Sequence, residues 1–86
     1  MARYETFLKR SAAKELARIP RADLKRIVAR IRSLAKDPRP PGSEKLSAQE
    51  RYRLRQDDYR IVYSVQDGER TVWVVKIAHR REVYRT

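Results

Sequence analysis

The chain has 86 residues and no cysteine, which excludes a disulfide-stabilised scaffold and any metal site built from thiolates. Its 22 Lys and Arg against 11 Asp and Glu give a net charge of +11, which favours polyanionic partners such as nucleic acid, the ribosome or an acidic protein. Solubility alone is the alternative meaning of this charge. The N-terminal residues lack the apolar segment of a signal peptide, and the longest apolar stretch, VWVVKIA, is too short to span a bilayer. We therefore expect one cytoplasmic domain over residues 1–86 that does not bind membranes.

The first half of the chain has the pattern of a short strand followed by two helices. Residues 3–8, RYETFL, predict a strand, and residues 11–19 predict a helix with Ser11 as its N-cap and Pro20 at its end. Residues 21–36 predict the clearest helix, because apolar side chains recur along one stripe: Leu24, Ile27, Val28, Ile31, Leu34 and Ala35. Two such helices need a surface on which to bury their apolar sides.

The second half has the period-two alternation and the turn signals of an antiparallel sheet. DPRPPGSE at 37–44 is rich in proline and predicts a loop within the same domain. Three strands are predicted, with turn signals at Asp57-Asp58 and Asp67-Gly68 between them: 51–56, 59–66 and 71–78. The predicted class is therefore α+β, with two helices packed on one face of a small antiparallel sheet in the order β-α-α-β-β-β. The other face of the sheet is expected to be open.

The alternation also assigns cationic side chains to the open face. If Tyr52 and Leu54 face the helices, the open face receives Arg53, Arg55 and Arg60. The third strand adds further candidates at its end: His79, Arg80, Arg81 and Tyr84. Guanidinium groups bind phosphate through paired hydrogen bonds, and aromatic rings stack on unpaired bases. The cluster therefore predicts nucleic-acid binding, with a merely solvated arginine-rich face as the alternative.

The residue types in this cluster permit the cleavage of RNA without a metal. RNA supplies its own nucleophile, the 2′-OH, so a protein has to take its proton, stabilise the phosphorane and protonate the leaving 5′ oxygen. Arginine can stabilise the charge, and histidine or tyrosine can transfer the protons. Paired carboxylates, a Gly-rich phosphate loop and a metal-ligand motif are not evident in the sequence, so we expect no cofactor. The same residues would equally suit a binding surface.

The run from residue 52 to residue 85, YRLRQDDYRIVYSVQDGERTVWVVKIAHRREVYR, resembles the C-terminal half of RelE-type toxins from bacterial toxin–antitoxin modules. AAKELARIP, the second helix, DP and EKL precede it in the family's order, so the resemblance covers nearly the whole chain. It implies the RelE-like fold and a ribosome-dependent endoribonuclease that cuts mRNA in the A site by 2′-OH attack, with no metal. It also implies an acidic, RelB-like antitoxin that wraps the toxin, and a complex that binds operator DNA.

The resemblance also implies a role for individual residues. Arg60 of DYRIVY matches the family's phosphate-binding arginine on the central strand. Arg80 matches the arginine that stabilises the transition state and helps to protonate the leaving group, with Arg81 as the alternative match and a further RNA contact. Tyr84 of EVY matches the C-terminal tyrosine that positions the nucleotide or takes part in proton transfer.

The basic residues of the first long strand depart from the family's pattern. Arg53 and Arg55 fall where members often carry lysine, and arginine cannot give up its proton to act as a base. The base would then be His79, Tyr84 or a group of the ribosome or solvent, although His79 could equally serve only to cap the strand. Two rival functions remain: the ParE-type toxins, which share the fold and inhibit DNA gyrase without cutting RNA, and a non-catalytic basic RNA-binding domain.

Overall fold

Two helices and five strands make up the part of the chain that the computed structural model describes, residues 3–46 and 50–79. Their bounds in chain order are β1 (Glu5–Leu8), α1 (Arg10–Ala17), α2 (Arg21–Ser33), β2 (Glu44–Leu46), β3 (Arg51–Gln56), β4 (Tyr59–Gln66) and β5 (Thr71–His79). The strands form one sheet in the order β1-β5-β4-β3-β2. The predicted α+β class, with two helices on a small sheet, is confirmed.

The sheet differs from the prediction in two respects. β1 runs parallel to β5, so the sheet is mixed, whereas the other three neighbouring pairs are antiparallel, and two of these, β3–β4 and β4–β5, were expected. The strand β2 was not predicted, because its three residues, EKL, show no apolar alternation and the prolines before them favour a loop. It pairs with β3 through backbone hydrogen bonds, which places Glu44 beside Arg53.

The core lies between the two helices and one face of the sheet. The predicted apolar stripe of α2 is buried through Ile27, Ile31 and the following Leu34. The sheet contributes residues of its three long strands, which alternate except at the irregularity in β5: Tyr52, Leu54, Ile61, Tyr63, Val65, Val72, Val74 and Ile77. Full burial of one such aliphatic side chain stabilises the fold by about 1.5–3 kcal/mol. The described helices leave the opposite face of the sheet uncovered.

The first helix begins and ends earlier than the sequence pattern indicated. β1 leads almost directly into α1, because the N–H of Lys9 still pairs with the carbonyl of Val74 at 2.9 Å while Lys9 serves as the N-cap. Ser11, predicted as the N-cap, lies inside the helix and donates to the carbonyl of Val75 at 3.5 Å. Glu15 then accepts from the N–H of Ile77 at 2.9 Å, so α1 protects the part of the β5 edge that β1 does not reach. Neither described helix has the length and hydrophobicity to cross a membrane.

The two predicted turns, at Asp57-Asp58 and Asp67-Gly68, are present, but the residue with a positive φ is not glycine in either of them. In the β3–β4 connection Asp57 adopts a positive φ of 55°. In the β4–β5 connection Arg70 does so with φ 54°, and its N–H donates to the carbonyl of Asp67 at 3.2 Å. The second connection is thus a four-residue turn, and the DG pair marked its position but not its type.

Candidate active site

Three arginines line one cleft on the helix-free face of the sheet. Arg53 and Arg55 lie two residues apart on β3, and Arg55 pairs across the ladder with Arg60 of β4. Period-two alternation therefore directs all three side chains to the same face. With Gly42 and Glu44 they enclose a cleft of about 320 Å³, which we call the arginine cleft.

Arg60 has the most unusual environment of the three. The residue is only 6% exposed, although it lies on the face without helices. Within residues 3–46 and 50–79, no side chain forms a hydrogen bond or an ion pair with its guanidinium, and its cross-strand neighbours are Arg55 and Ala78. A buried cation beside a like charge costs free energy, so its presence favours an anionic ligand at this position.

Glu44 is the carboxylate of the arginine cleft, and the sequence reasoning missed it. Its Oε2 lies 3.5 Å from an Nη atom of Arg53, with the side chains 68% and 34% exposed, so this contact is weak. Glu44 reaches the cleft because β2 pairs with β3. The signal for it was the EKL tripeptide, but without a predicted strand its face could not be assigned.

His79 lies on the other side of the sheet from the arginines. Ala78 is the residue of β5 that pairs with Arg60, so the next residue points towards the helices. There the ring of His79 meets that of Tyr59 edge-on, with centroids 5.4 Å apart. The two rings share a cavity of about 180 Å³ with residues at the end of α1: Glu15, Arg18 and Ile19. The structure therefore does not bring His79 together with the arginines, contrary to the expectation from sequence.

The remaining predicted residues, Arg80, Arg81 and Tyr84, lie outside the described residues. The described part of β5 ends next to the arginine cleft, since Ala78 pairs with Arg60. Of the predicted site residues that the structure describes, three meet in the cleft and His79 does not.

A cluster of side chains around a single arginine, Arg39, anchors the loop that forms one rim of the cleft. Arg39 donates to both carboxylate oxygens of Asp67, at 3.2 and 2.8 Å, and to the hydroxyl of Tyr52 at 2.8 Å. These bonds, first those to Asp67 and then that to Tyr52, raise the pKa of the Arg39 guanidinium. The same guanidinium, with the hydroxyl of Tyr4 donating at 2.6 Å, lowers the pKa of Asp67. We call this set of side chains the Arg39 cluster.

A buried tyrosine, Tyr63, forms a hydrogen bond to the same loop from the core. The hydroxyl of Tyr63 donates to the carbonyl of Pro38 at 2.8 Å, and burial raises the pKa of Tyr63 to about 12. Its ring stacks on that of Tyr52 with centroids 5.7 Å apart, and the Arg39 guanidinium lies 5.2 Å from the centre of the Tyr52 ring. The loop from Pro38 to Gly42 is thus fixed at its start, which positions the rim residues Gly42 and Glu44.

Comparisons with known proteins identify the family. The sequence model described as ParE toxin of type II toxin-antitoxin system, parDE, matches residues 7–84. The chain is also similar to the RelBE2 toxin–antitoxin complex of Mycobacterium tuberculosis, with 23% identity, coverage of 93% of this chain and 94% of that one, and a TM-score of 0.82. The RelE–RelB complex of Pyrococcus horikoshii is similar as well, with 24% identity, coverage of 100% of this chain and 100% of that one, and a TM-score of 0.80.

A third similar structure is a mutant of the E. coli toxin RelE in complex with an antitoxin RelBc peptide, with 26% identity, coverage of 98% of this chain and 92% of that one, and a TM-score of 0.76. No curated protein sequence matches the chain. The structural similarities confirm the RelE-like fold that the sequence predicted. Because the family model spans most of the residues, the chain belongs to the ParE toxin family of type II toxin–antitoxin systems, within the RelE/ParE superfamily.

Proposed function

We propose that this toxin is a ribosome-dependent endoribonuclease that cuts mRNA in the ribosomal A site. The observation that carries the proposal is the arginine cleft, where a buried guanidinium without an acidic partner among the described residues meets two more. Such a site suits the scissile phosphate, and it suits the phosphorane even better because that species carries more negative charge. Arg60 would hold the phosphate, with Arg53 and Arg55 binding the RNA on either side.

The reaction we propose needs no metal. The 2′ oxygen attacks the phosphorus, the bond to the 5′ oxygen breaks, and the products are a 2′,3′-cyclic phosphate and a 5′-OH. One group has to accept the proton of the 2′-OH and another has to supply a proton to the 5′ oxygen. Among the described residues that line the cleft, Glu44 is the one whose side chain carries carboxylate oxygens, which can accept a proton. We therefore propose Glu44 as a candidate base, ahead of His79, which faces the helices.

The other roles rest on the sequence resemblance to RelE-type toxins. Arg80, or Arg81 in its place, would stabilise the phosphorane and help to protonate the leaving oxygen, and Tyr84 would position the nucleotide or transfer a proton. The described part of β5 ends beside Arg60, and these residues come after it in the chain. The site would then supply both a proton acceptor, Glu44, and a proton donor.

The cognate antitoxin would be an acidic, RelB-like protein, since relatives with this fold are found in complexes with RelB. Its charge would complement the +11 of the toxin in the cytoplasm, and it would cover the arginine cleft. An apolar groove of about 370 Å³ beside the helices offers an anchor for it, lined mainly by Phe7, Leu8, Leu16, Val28 and Ile31. The toxin–antitoxin complex would bind operator DNA.

A second candidate function, the inhibition of DNA gyrase, has its own support. The matching family model is that of ParE, and the cleft lacks the histidine that the sequence had led us to expect there. On this alternative the arginine cleft would bind an acidic surface or a DNA phosphate without chemistry.

A single experiment separates the two functions. Purified toxin is added to ribosomes programmed with a short mRNA and with an empty A site, and cut positions are mapped by primer extension. We expect cuts in the A-site codon on the ribosome, none in naked mRNA, and strong reduction with Glu44→Gln and with Tyr84→Phe. If folded wild-type toxin leaves the mRNA intact and instead blocks supercoiling by gyrase, the nuclease proposal is wrong.

A further inference from the structure

The helix-free face carries a second groove, distinct from the arginine cleft. It encloses about 670 Å³, and its floor includes Trp73 of β5 and Ser64 of β4. Arg51 of β3 lies on one side of this floor, and Lys9 and Arg10 lie on the other. These residues come together because the ladder aligns Arg51 with Ser64 and Ser64 with Trp73 across three neighbouring strands. We call this groove the Trp73 groove.

Trp73 is held as half of an aromatic pair. It pairs in register with Phe7 of β1, and the two rings are stacked with centroids 4.7 Å apart and planes inclined by 22°. Phe7 is 37% exposed, and no described helix covers this side of the sheet. A sheet face with a pre-oriented aromatic ring is the platform on which proteins stack unpaired bases.

The walls of the Trp73 groove are cationic. Lys9, Arg10 and Arg51 are exposed, and none of them forms an ion pair with another described residue. The carboxylate at this end, Glu50, already faces the side chain of Lys45 at 3.3 Å and that of Arg39 at 3.7 Å. The groove therefore offers positive charge on both sides of an aromatic floor, which fits the phosphates on either side of a stacked base.

The Trp73 groove and the arginine cleft are close enough for a single RNA strand to contact both. Ser64 and Arg60 are both on β4 and point to the same face, four residues apart, which corresponds to about 13 Å. We propose that the Trp73 groove stacks an unpaired base of the same RNA strand whose scissile phosphate occupies the arginine cleft. This inference deepens the proposed function by assigning a binding site for a nucleotide next to the cleavage point. Single-stranded RNA is the occupant, because a duplex would keep its bases away from the indole.

The chain contains one tryptophan, so its fluorescence reports on this groove alone. The full-length chain is titrated with a short 2′-O-methyl RNA, which has no free 2′-OH and cannot be cut. We expect saturable quenching of the Trp73 emission. Arg51→Gln should weaken binding several-fold and lower the slope of log affinity against log salt by about 0.7, the loss of one phosphate contact on a single strand.

The matched control is Arg21→Gln, an exposed arginine at the start of α2 on the opposite side of the molecule, which should bind like the wild type. Absence of quenching, equal quenching by a duplex of the same sequence, or equal weakening by both variants would overturn the proposal. The probe cannot be cut, so binding is measured separately from catalysis. Quenching by a toxin that does not cut mRNA on the ribosome would therefore refute the proposed nuclease activity but not the Trp73 groove as a binding site. Cleavage on the ribosome without quenching would refute the groove alone.

Discussion

The Arg39 cluster and the arginine cleft contain the same functional group in opposite settings. The side chain of Arg39 is 37% exposed, yet a carboxylate, a tyrosine hydroxyl and an aromatic ring surround its guanidinium. Arg60 is buried, yet no described side chain bonds to it and its neighbour across the ladder is another arginine. The comparison indicates that the Arg39 cluster stabilises the fold, whereas the arginine cleft contains a charge, that of Arg60, which the fold does not require.

The difference follows from where the carboxylates lie. The β4–β5 turn supplies Asp67, which reaches both Arg39 in the loop before β2 and Tyr4 before β1, so three distant segments meet at one anion. On the helix-free face the only carboxylate among the described residues that line the cleft is Glu44, and it contacts Arg53 at 3.5 Å rather than Arg60. Proteins often keep such destabilising charges where they bind or transform a ligand.

The largest effect is expected from Arg60→Met, which retains volume but removes the charge. Cleavage on the ribosome should fall by about 100-fold or more, as for the loss of a transition-state donor. The free energy of unfolding should stay the same or rise, because an uncompensated buried cation disappears. Primer extension and urea unfolding of the same preparation test both. A marked loss of stability would show that Arg60 stabilises the fold and would contradict the difference between Arg60 and Arg39.

The second prediction concerns the opposite face of β3. Leu54 lies between Arg53 and Arg55 in sequence, but its side chain is buried at 1% exposure in the core. Leu54→Ala should lower the free energy of unfolding by about 2–5 kcal/mol through lost burial and a residual cavity. Arg55→Ala is the control on the same strand and should change it by less than about 0.5 kcal/mol. Similar losses from both would contradict the assignment of faces.

Tyr63→Phe should have a smaller effect. It removes the hydroxyl that donates to the carbonyl of Pro38 and leaves the ring packed in the core. We expect a loss of about 1 kcal/mol in the free energy of unfolding. Cleavage should fall slightly if the loop before β2 positions Glu44. An unchanged stability would mean that the loop is held by the Arg39 cluster alone.

The smallest effect is expected from Asp67→Asn, and it should depend on pH. Because Arg39 and Tyr4 lower the pKa of Asp67 in the folded state, its stabilising contribution is present above the ordinary aspartate pKa and is lost as the pH falls through the lowered value. The variant should therefore melt at a lower temperature than the wild type at pH 7. That difference should shrink below about pH 3.9.

Glu69→Gln in the same turn is the control, because no described cation pairs with Glu69. It should show no such pH dependence. If Asp67→Asn and the wild type differ in melting temperature by the same amount from neutral to acidic pH, the charge of Asp67 does not stabilise the fold. The contrast between the Arg39 cluster and the arginine cleft would then be wrong.

Much of this molecule could be predicted from local patterns. Alternation in RYRLRQ and YRIVYSVQ placed Arg53, Arg55 and Arg60 on one face, since a strand has a fixed period of two. The same logic failed for His79, because β5 contains an extra residue relative to β4 near Val62, which no sequence pattern marks. Glu44 was missed because β2 is held by pairing with β3 and not by its own propensity.

The most direct test of the central claim uses an mRNA with a single 2′-deoxy substitution. The toxin is added to ribosomes that carry either the ordinary message or one in which the nucleotide 5′ of the cut lacks its 2′-OH. If the arginine cleft catalyses attack by that hydroxyl, the ordinary message is cut to a 2′,3′-cyclic phosphate and the substituted one stays intact at that position. Equal cutting of both messages would contradict the mechanism, and cutting of neither by folded toxin would contradict the assignment of the arginine cleft as a nuclease site.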